Sequence, residues 1–383
     1  MNVRRLLLVA FLAAGCSRPE PFTVREPARP PPATPAPAPG AAAPAHRPGA
    51  SAGPAGEQPL RVLLFGDFGS PTDQQRAVAA AMIAAHRRRP FDLAFSLGDN
   101  VYDCGLDARP DEAKACRFDS SGNSIEAGYA APRDPRFAEH FERPLLPLLS
   151  EPRPLVVRGV LGNHDVASGI TCREGGLDRP ELARVRACLE VAQRSPLWRM
   201  PGRHYVVDQG PARFVVIDSN LLIRDYGGFS IEGEIAFVRE AARAAAGRRV
   251  FLVAHHPAAT AGKHRKDFDD AGYVERLRRV VEAGGGAIQA WFAGHDHVLQ
   301  QTRTPGGLDV FVSGNGALQR PEERFEHVAP PTAQRLFGST EWGFAILEVT
   351  RSGWSVRFEN DRGNPLHCCR AVGTGRCDPV ACS

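Results

Sequence analysis

Ala293-Gly294-His295-Asp296-His297 closes a series of five short segments built alike. Upstream stand Gly66-Asp67-Phe68-Gly69, Gly98-Asp99-Asn100-Val101-Tyr102, Gly162-Asn163-His164-Asp165 and His255-His256-Pro257. Each follows a short apolar run, at residues 62–65, 93–97, 155–157, 251–254 and 290–292. Apolar runs of this length, bounded by turn residues, read as buried strands. In α/β folds the loops at the carboxyl ends of strands are where ligand sites form. Five strands thus deliver Asp, Asn, His and Tyr side chains to one edge of a sheet.

Carboxylate, amide oxygen, imidazole and phenolate together suit hard to borderline metals such as iron, manganese and zinc, not a thiolate site. The donors are too many for one tetrahedral ion. Two ions sharing a bridging carboxylate would use them all, and two metals roughly 3.5–4 Å apart are a known arrangement for in-line displacement at phosphorus. Taken singly, each residue has an ordinary explanation. Asp67 and Asp99 suit turns or helix N-caps, Asn163 a turn, Tyr102 strand-end packing, and His255 and His256 a satisfied core. His295 and His297, two apart after a strand, point the same way and resist a packing explanation.

The ordered set Gly-Asp-x-Gly, Gly-Asp-x-x-Tyr, Gly-Asn-His-Asp, His-x-Pro and Gly-His-x-His resembles the calcineurin-like metallophosphoesterases, over about residues 60 to 358. Tyr102 narrows the resemblance to the purple acid phosphatase branch, of tartrate-resistant acid phosphatase type. The fold this implies is α/β, a four-layer sandwich of two mixed β-sheets flanked by helices. The resemblance implies that Asp67, Asp99, Tyr102 and His297 hold one metal ion. Asp99, Asn163, His255 and His295 then hold a second, with Asp99 bridging. In the family the first ion is Fe(III), coloured by its Tyr phenolate, and the second is Fe(II), Zn(II) or Mn(II). The implied activity is hydrolysis of the phosphate monoester of a small phosphorylated substrate by a metal-bound hydroxide. A phosphodiesterase or nucleotidase on the same fold is the alternative.

His264 lies nine residues beyond His255, the spacing at which relatives place a histidine over the substrate phosphate. His164 adjoins a candidate ligand. Either histidine can bind phosphate oxygens and protonate the leaving alkoxide. Asp165 either orients His164 or caps the following turn, and His256 stays outside the ligand set. A surface lipoprotein keeping the fold only as a binding module would show missing ligands, and none is missing.

Residues 1–16 read as an export signal: Arg4 and Arg5, an apolar stretch over 6–12, then Ala13-Ala14-Gly15 before Cys16. The segment resembles a bacterial lipoprotein signal, in which Cys16 is lipidated and becomes the new N-terminus. The other reading is an ordinary secretory signal. The expected location is the cell envelope, lipid-anchored at the outer membrane or in the periplasm, or the secreted medium. Residues 17–59, rich in Pro, Ala and Gly, cannot bury enough apolar surface to offset their ordering entropy and read as an extended stalk. The metallophosphoesterase domain is expected over 60–360 and a Cys-rich tail over 361–383. Nine cysteines less Cys16 leave an even number, as in an oxidising compartment. Local pairing is expected, Cys104 with Cys116 and Cys172 with Cys188. Cys368, Cys369, Cys377 and Cys382 would pair among themselves, with a tail zinc site as the alternative. A formal net charge of +4 is too small to imply a nucleic-acid partner, and the expected state is a monomer.

Helical spacing marks residues 72–88, 135–149, 180–192, 232–246 and 273–283. Further strands are expected at 204–208, 213–219, 249–254, 298–302, 309–313, 343–350 and 354–359. Residues 103–131, polar with two Cys, read as an ordered loop over the site. Strand–helix alternation followed by strand-rich stretches gives an α/β class with mixed sheets.

Overall fold

The computed structural model describes residues 58–106, 115–129, 131, 133–168, 172 and 175–382. The export signal, Cys16 and most of the stalk lie outside the described residues. Four strands open the first sheet: β1 (Leu60–Phe65), β2 (Leu93–Ser96), β3 (Val157–Gly159) and the short β4 (Trp198–Arg199). The second sheet is formed by β5 (Tyr205–Gln209), β6 (Ala212–Val216), β7 (Arg249–Val253), β8 (Ile288–Ala293), β9 (Leu299–Arg303), β10 (Asp309–Ser313) and β11 (Gln334–Ser339). The chain then returns to the first sheet through β12 (Gly343–Val349), β13 (Gly353–Asn360), β14 (Pro365–Val372) and β15 (Asp378–Val380). The spatial orders are β15-β14-β13-β12-β1-β2-β3-β4 and β11-β9-β10-β8-β7-β6-β5.

Both sheets are mixed, as expected. β1, β2 and β3 run parallel, and β12 lies antiparallel on β1 with Leu63 opposite Ile346. β6, β7 and β8 are likewise parallel, joined by β10. β1 is buried at all six positions, Arg61 included, and its apolar run at residues 62–65 suits a strand covered on both faces. The sheets meet through aromatic side chains, Phe95 against Phe214 at 5.1 Å and Phe251 against Trp354 at 5.5 Å between ring centroids.

Four longer helices form the outer layers: α1 (Asp73–Arg88), α2 (Pro180–Ala192), α3 (Ile231–Arg243) and α4 (Ala271–Ala283). Thr72 caps α1 by accepting the Gln75 N–H at 3.0 Å. Packing sets α1 against β12 and α3 against β6. None of the described helices is long and apolar enough to cross a membrane.

Three expectations are corrected. The single helix over 135–149 is broken into Pro135–Phe137, a wider turn at Ala138–Glu142, then Arg143–Leu145 and a tighter turn at Leu146–Leu149. Pro144 and Pro147 supply no N–H to an α-helical ladder there. The apolar face survives, with Phe137, Phe141, Leu145 and Leu148 all buried. Beyond residue 360 the chain adds β14 and β15 to the first sheet, with Val356 opposite Cys369. Cys368–Cys382 and Cys369–Cys377 staple that edge, pairing among themselves as expected. The other cysteines cross over: Cys104 bonds Cys172, and Cys116 bonds Cys188.

Candidate metal centre

The loop after each of β1, β2, β3, β7 and β8 brings its polar residues to one place. Asp67, Asp99, Tyr102 and His255 are buried. Asp67 (φ 54°), Asp99 (φ 55°) and His295 (φ 71°) have left-handed backbones, a conformation that side chains other than glycine seldom adopt. Gly98 (φ 95°) and Gly162 allow the loops to close, for a Cβ on Gly162 would fall 2.1 Å from Asp99 Oδ1.

Two sets of four donor atoms result. In the first, Tyr102 OH lies 2.9 Å from Asp99 Oδ2, 3.1 Å from Asp67 Oδ1 and 3.2 Å from His297 Nε2. His297 Nε2 is 3.4 Å from Asp67 Oδ1. In the second, Asn163 Oδ1 lies 2.9 Å from His255 Nε2 and 3.0 Å from His295 Nδ1, and those two nitrogens are 3.2 Å apart. Asp99 Oδ1 completes that set, 3.4 Å from His255 Nε2. Metal–ligand bonds of about 2.1 Å at right angles place neighbouring donors ~3 Å apart, so both sets have the spacing of a coordination shell.

Proton positions sharpen the fit. In the neutral ring of His255 the hydrogen sits on Nδ1, 2.8 Å from the Leu97 carbonyl that can only accept, and Nε2 keeps its lone pair. His295 Nε2 faces Asp267 Oδ2 at 3.3 Å, which leaves its Nδ1 bare as well. With both rings neutral, the second set holds four acceptors and no hydrogen to share, an arrangement that a cation satisfies.

Burial first, and Asp99 beside it, push the Asp67 carboxyl up to about 8 against the pull of His255. Burial and the two carboxylates raise the Tyr102 phenol well above its ordinary value. Burial also drives His297 down to about 3 and His295 well below the usual imidazole range. Asp99 is the exception: burial opposes its charge, but His255 and His164 hold it below the ordinary carboxylate value. A cation among these groups reverses the burial effects, since it favours each anion and each neutral ring.

The site histidines divide by position. His164 packs its ring 4.2 Å from that of Tyr102, and His264 packs 3.8 Å from that of His295. His256 is turned away, its Nδ1 2.9 Å from Ser219 Oγ.

The profile of the calcineurin-like phosphoesterase family matches residues 60–299. The chain belongs to that family. As such it is a metal-dependent phosphoric ester hydrolase, with purple and tartrate-resistant acid phosphatases among its relatives. It is 24% identical to tartrate-resistant acid phosphatase type 5 of Sus scrofa over 341 residues, covering 80% of this chain and 85% of the relative. Purple acid phosphatase 7 of Arabidopsis thaliana is also 24% identical, over 327 residues, covering 80% and 84%. Among solved structures, GAP50, the anchor in the inner membrane complex of Plasmodium, aligns with a TM-score of 0.60 at 16% identity over 84% of this chain and 90% of that one. The purple acid phosphatase PPD1 of yellow lupin aligns at 0.56 and 14%, over 85% and 57%. These structural likenesses establish the fold.

In this phosphoesterase a further ring of buried groups holds the loops. Asp165 accepts the N–H groups of Gly162, Asn100 and Val101 at 2.7, 2.8 and 3.1 Å, joining the loops after β2 and β3. The expected alternative roles for Asp165 are thus replaced by a bridging one. His164 is instead oriented by the Asp103 carbonyl, 2.8 Å from its Nδ1. Asn100 donates to the Val160 carbonyl and to Glu190 at 2.8 and 2.7 Å. Asp267, Asn100, Ser219 and Glu190 escaped the sequence reading. Asn100 sits inside a quoted motif, but nothing in the spacing of Asp267, Ser219 or Glu190 ties them to it.

Burial and then the Asp165 charge push Glu190 well above the ordinary carboxyl range, while burial and Asp99 take Asp165 to about 7. A folded pKa above the unfolded one means that folding takes up a proton, so stability falls as pH rises past the unfolded value. Glu190→Gln keeps the acceptor for Asn100 and removes the titration. Its melting temperature is expected to exceed that of the wild type at pH 8, with the excess shrinking toward pH 4. Each kcal/mol relieved amounts to about 2–4 °C in a thermal scan. A variant less stable than the wild type at pH 8 means instead that Glu190 serves as an anion.

Proposed function

We propose that this chain is an exported dinuclear-metal phosphatase of purple acid phosphatase type, acting on phosphate monoesters. The observation that carries the reading is the pair of four-donor sets sharing the two oxygens of Asp99. Asp67, Asp99, Tyr102 and His297 would hold Fe(III), because two carboxylates and a phenolate favour a hard trivalent ion. Asp99, Asn163, His255 and His295 would hold Fe(II), Zn(II) or Mn(II). When bound, the pair supplies Lewis acidity toward the phosphoryl oxygens and an acidified water for in-line attack. The relatives named acid phosphatases support the monoester choice.

The chain's own residues position and protonate. His164 and His264 have side chains 16% and 17% exposed, one beside each donor set, within reach of a phosphate at the mouth. Burial opposes charge on His264, but Asp267 and Asp296 hold its ring above the ordinary imidazole range, which favours proton donation to a leaving alkoxide. The Asp296 carboxylate fixes the loop by accepting the His264 N–H at 2.9 Å and the Thr260 hydroxyl.

Purified protein should hydrolyse p-nitrophenyl phosphate faster than its bis-ester and carry close to two metal ions per chain. Tyr102→Phe should remove a visible absorption band. Protein that binds no metal and turns over neither ester between pH 4 and 8 would contradict the reading. Asp267→Asn should weaken the second ion's affinity by roughly 10- to 100-fold, since the carboxylate that fixes the His295 tautomer is gone. Metal-titration calorimetry reads this directly, and equal weakening of both ions would count against the assignment. Lipidation of Cys16 belongs to the same proposal. Incorporation of labelled fatty acid into the wild type and not into Cys16→Ser tests it.

A further inference from the structure

β6 and β7 run side by side, with Val216 opposite Val253, and each is followed by a polar turn. The turn after β7 carries His255. The one after β6, Asp218-Ser219-Asn220, supplies no donor to either set, yet all three of its residues are buried. Buried polar groups are bonded, so their partners show what they hold.

Ser219 spends its whole hydrogen-bonding capacity on one segment. Its Oγ accepts the backbone N–H of His255 at 3.1 Å and that of His256 at 2.9 Å. With both acceptor positions filled, the hydroxyl hydrogen goes to His256 Nδ1, 2.9 Å away. One hydroxyl thus fixes the backbone at His255 and holds the neighbouring ring away from the donors. Asn220 reaches another loop of the second set. Its Nδ2 donates to the Gly162 carbonyl at 3.3 Å, one residue before Asn163.

The turn is itself anchored. Asp218 Oδ1 accepts the Asn220 N–H at 3.2 Å and Asn220 Nδ2 at 3.0 Å. Asp218 Oδ2 accepts from Arg203 Nη1 at 3.1 Å and from Tyr226 OH at 2.6 Å. The Asp218 N–H donates to Glu234 Oε1 on α3 at 2.6 Å, and Arg203 Nη1 also reaches Glu234 Oε2 at 3.4 Å. Buried charges bonded on several sides hold one geometry, because any bond lost leaves a charge unpaired in a low-dielectric interior. Among the described residues, no hydrogen bond joins this turn to Asp67, Tyr102 or His297.

We propose that Ser219 is a positioning residue for the second metal ion, its hydroxyl holding the His255 segment in place beside the Asn163 loop. This role rests on the metal-centre reading, since it acts through ligands of the second set. Ser219 itself touches neither ion nor substrate. Without its hydroxyl, two buried N–H groups lose their acceptor and the segment must shift to find others.

The test is Ser219→Ala, with Ser219→Thr and Leu222→Ala beside it. When metal-free protein is titrated with Zn(II) by calorimetry, Ser219→Ala should weaken the second ion roughly 10- to 100-fold and leave the first unchanged, the usual effect of losing a group that orients a ligand. The visible band expected from Tyr102 should persist. Ser219→Thr keeps a hydroxyl and should recover most of the loss. Leu222, buried at the end of the same turn, makes no such bond, so Leu222→Ala should lower the melting temperature without selecting the second ion. Equal weakening of both ions by Ser219→Ala, or the same selective loss in Leu222→Ala, would overturn the role. So would a threonine variant that melts like the wild type and binds as weakly as the alanine one. Amide hydrogen exchange gives a readout without metal. In metal-free Ser219→Ala the His255 and His256 amides should exchange roughly tenfold faster than in the wild type, and unchanged rates would mean that Ser219 holds neither. A wild type that takes up no Zn(II) sinks the metal-centre reading, while the exchange rates still decide whether Ser219 holds this segment.

Discussion

Asp99→Ala should reduce kcat on p-nitrophenyl phosphate by roughly 10³-fold or more, and the isolated protein should no longer carry two ions. One oxygen of this carboxylate stands 2.9 Å from Tyr102 OH in the first donor set, and the other 3.4 Å from His255 Nε2 in the second. Each set thus loses a donor in one substitution, and the two ions lose the only anion they would share. Several kcal/mol of charge stabilisation disappear with them, at about 1.4 kcal/mol per tenfold in rate. Asn163→Ala gives the contrast. Among the described residues, Asn163 Oδ1 contacts His255 and His295, both in the second set, so that variant should lose the second ion and keep the first. Elemental analysis of both variants checks the pair. An Asp99→Ala protein that still holds two ions would leave the bridge elsewhere.

The donor residues were legible because their chemistry and their backbone positions coincide. Asp67, Asp99, Asn163, His255 and His295 each stand within a few residues of the end of an apolar run. A strand followed by a tight polar turn is readable without tertiary information. The supporting residues were not, because their roles exist only in three dimensions. Asp267 reads as one charge in the solvated run Lys263-His264-Arg265-Lys266-Asp267, yet its carboxylate reaches His295, 28 residues later in the chain. Glu190 lies on a helix that looks amphipathic and ordinary, and only the fold turns it toward Asn100, 90 residues away. The segment over 135–149 kept its apolar periodicity while two prolines removed the hydrogen bonds of a regular helix. Periodicity reports which face is buried, whereas the ladder depends on which N–H groups exist. β14 offers little alternation to read, since its Cys368 and Cys369 face a disulfide-stapled edge.

Cysteine pairing failed for a related reason, and the crossed pairing has a measurable consequence. Proximity in sequence favoured Cys104 with Cys116, but Cys104 bonds Cys172, ahead of α2, and Cys116 bonds Cys188, within α2. The partners are 68 and 72 residues away. Closing a loop of that length restricts the unfolded chain by about 4 kcal/mol in the chain-entropy account. Replacing Cys116 and Cys188 together by Ser should lower the melting temperature on the order of 10 °C. That bond is buried against the core, with Cys116 4% and Cys188 1% exposed, so serine hydroxyls there add an unpaired polar cost. The Cys104–Cys172 bond acts nearer the chemistry, because Cys104 is two residues from Tyr102. Its removal should therefore alter the tyrosine-dependent absorption band as well as stability, whereas the Cys116–Cys188 pair should leave the band in place. Peptide mapping under non-reducing conditions settles the connectivity first. Recovery of a peptide joining residues 104 and 116 would overturn both expectations, since the anchor that ties this loop to α2 would then not exist.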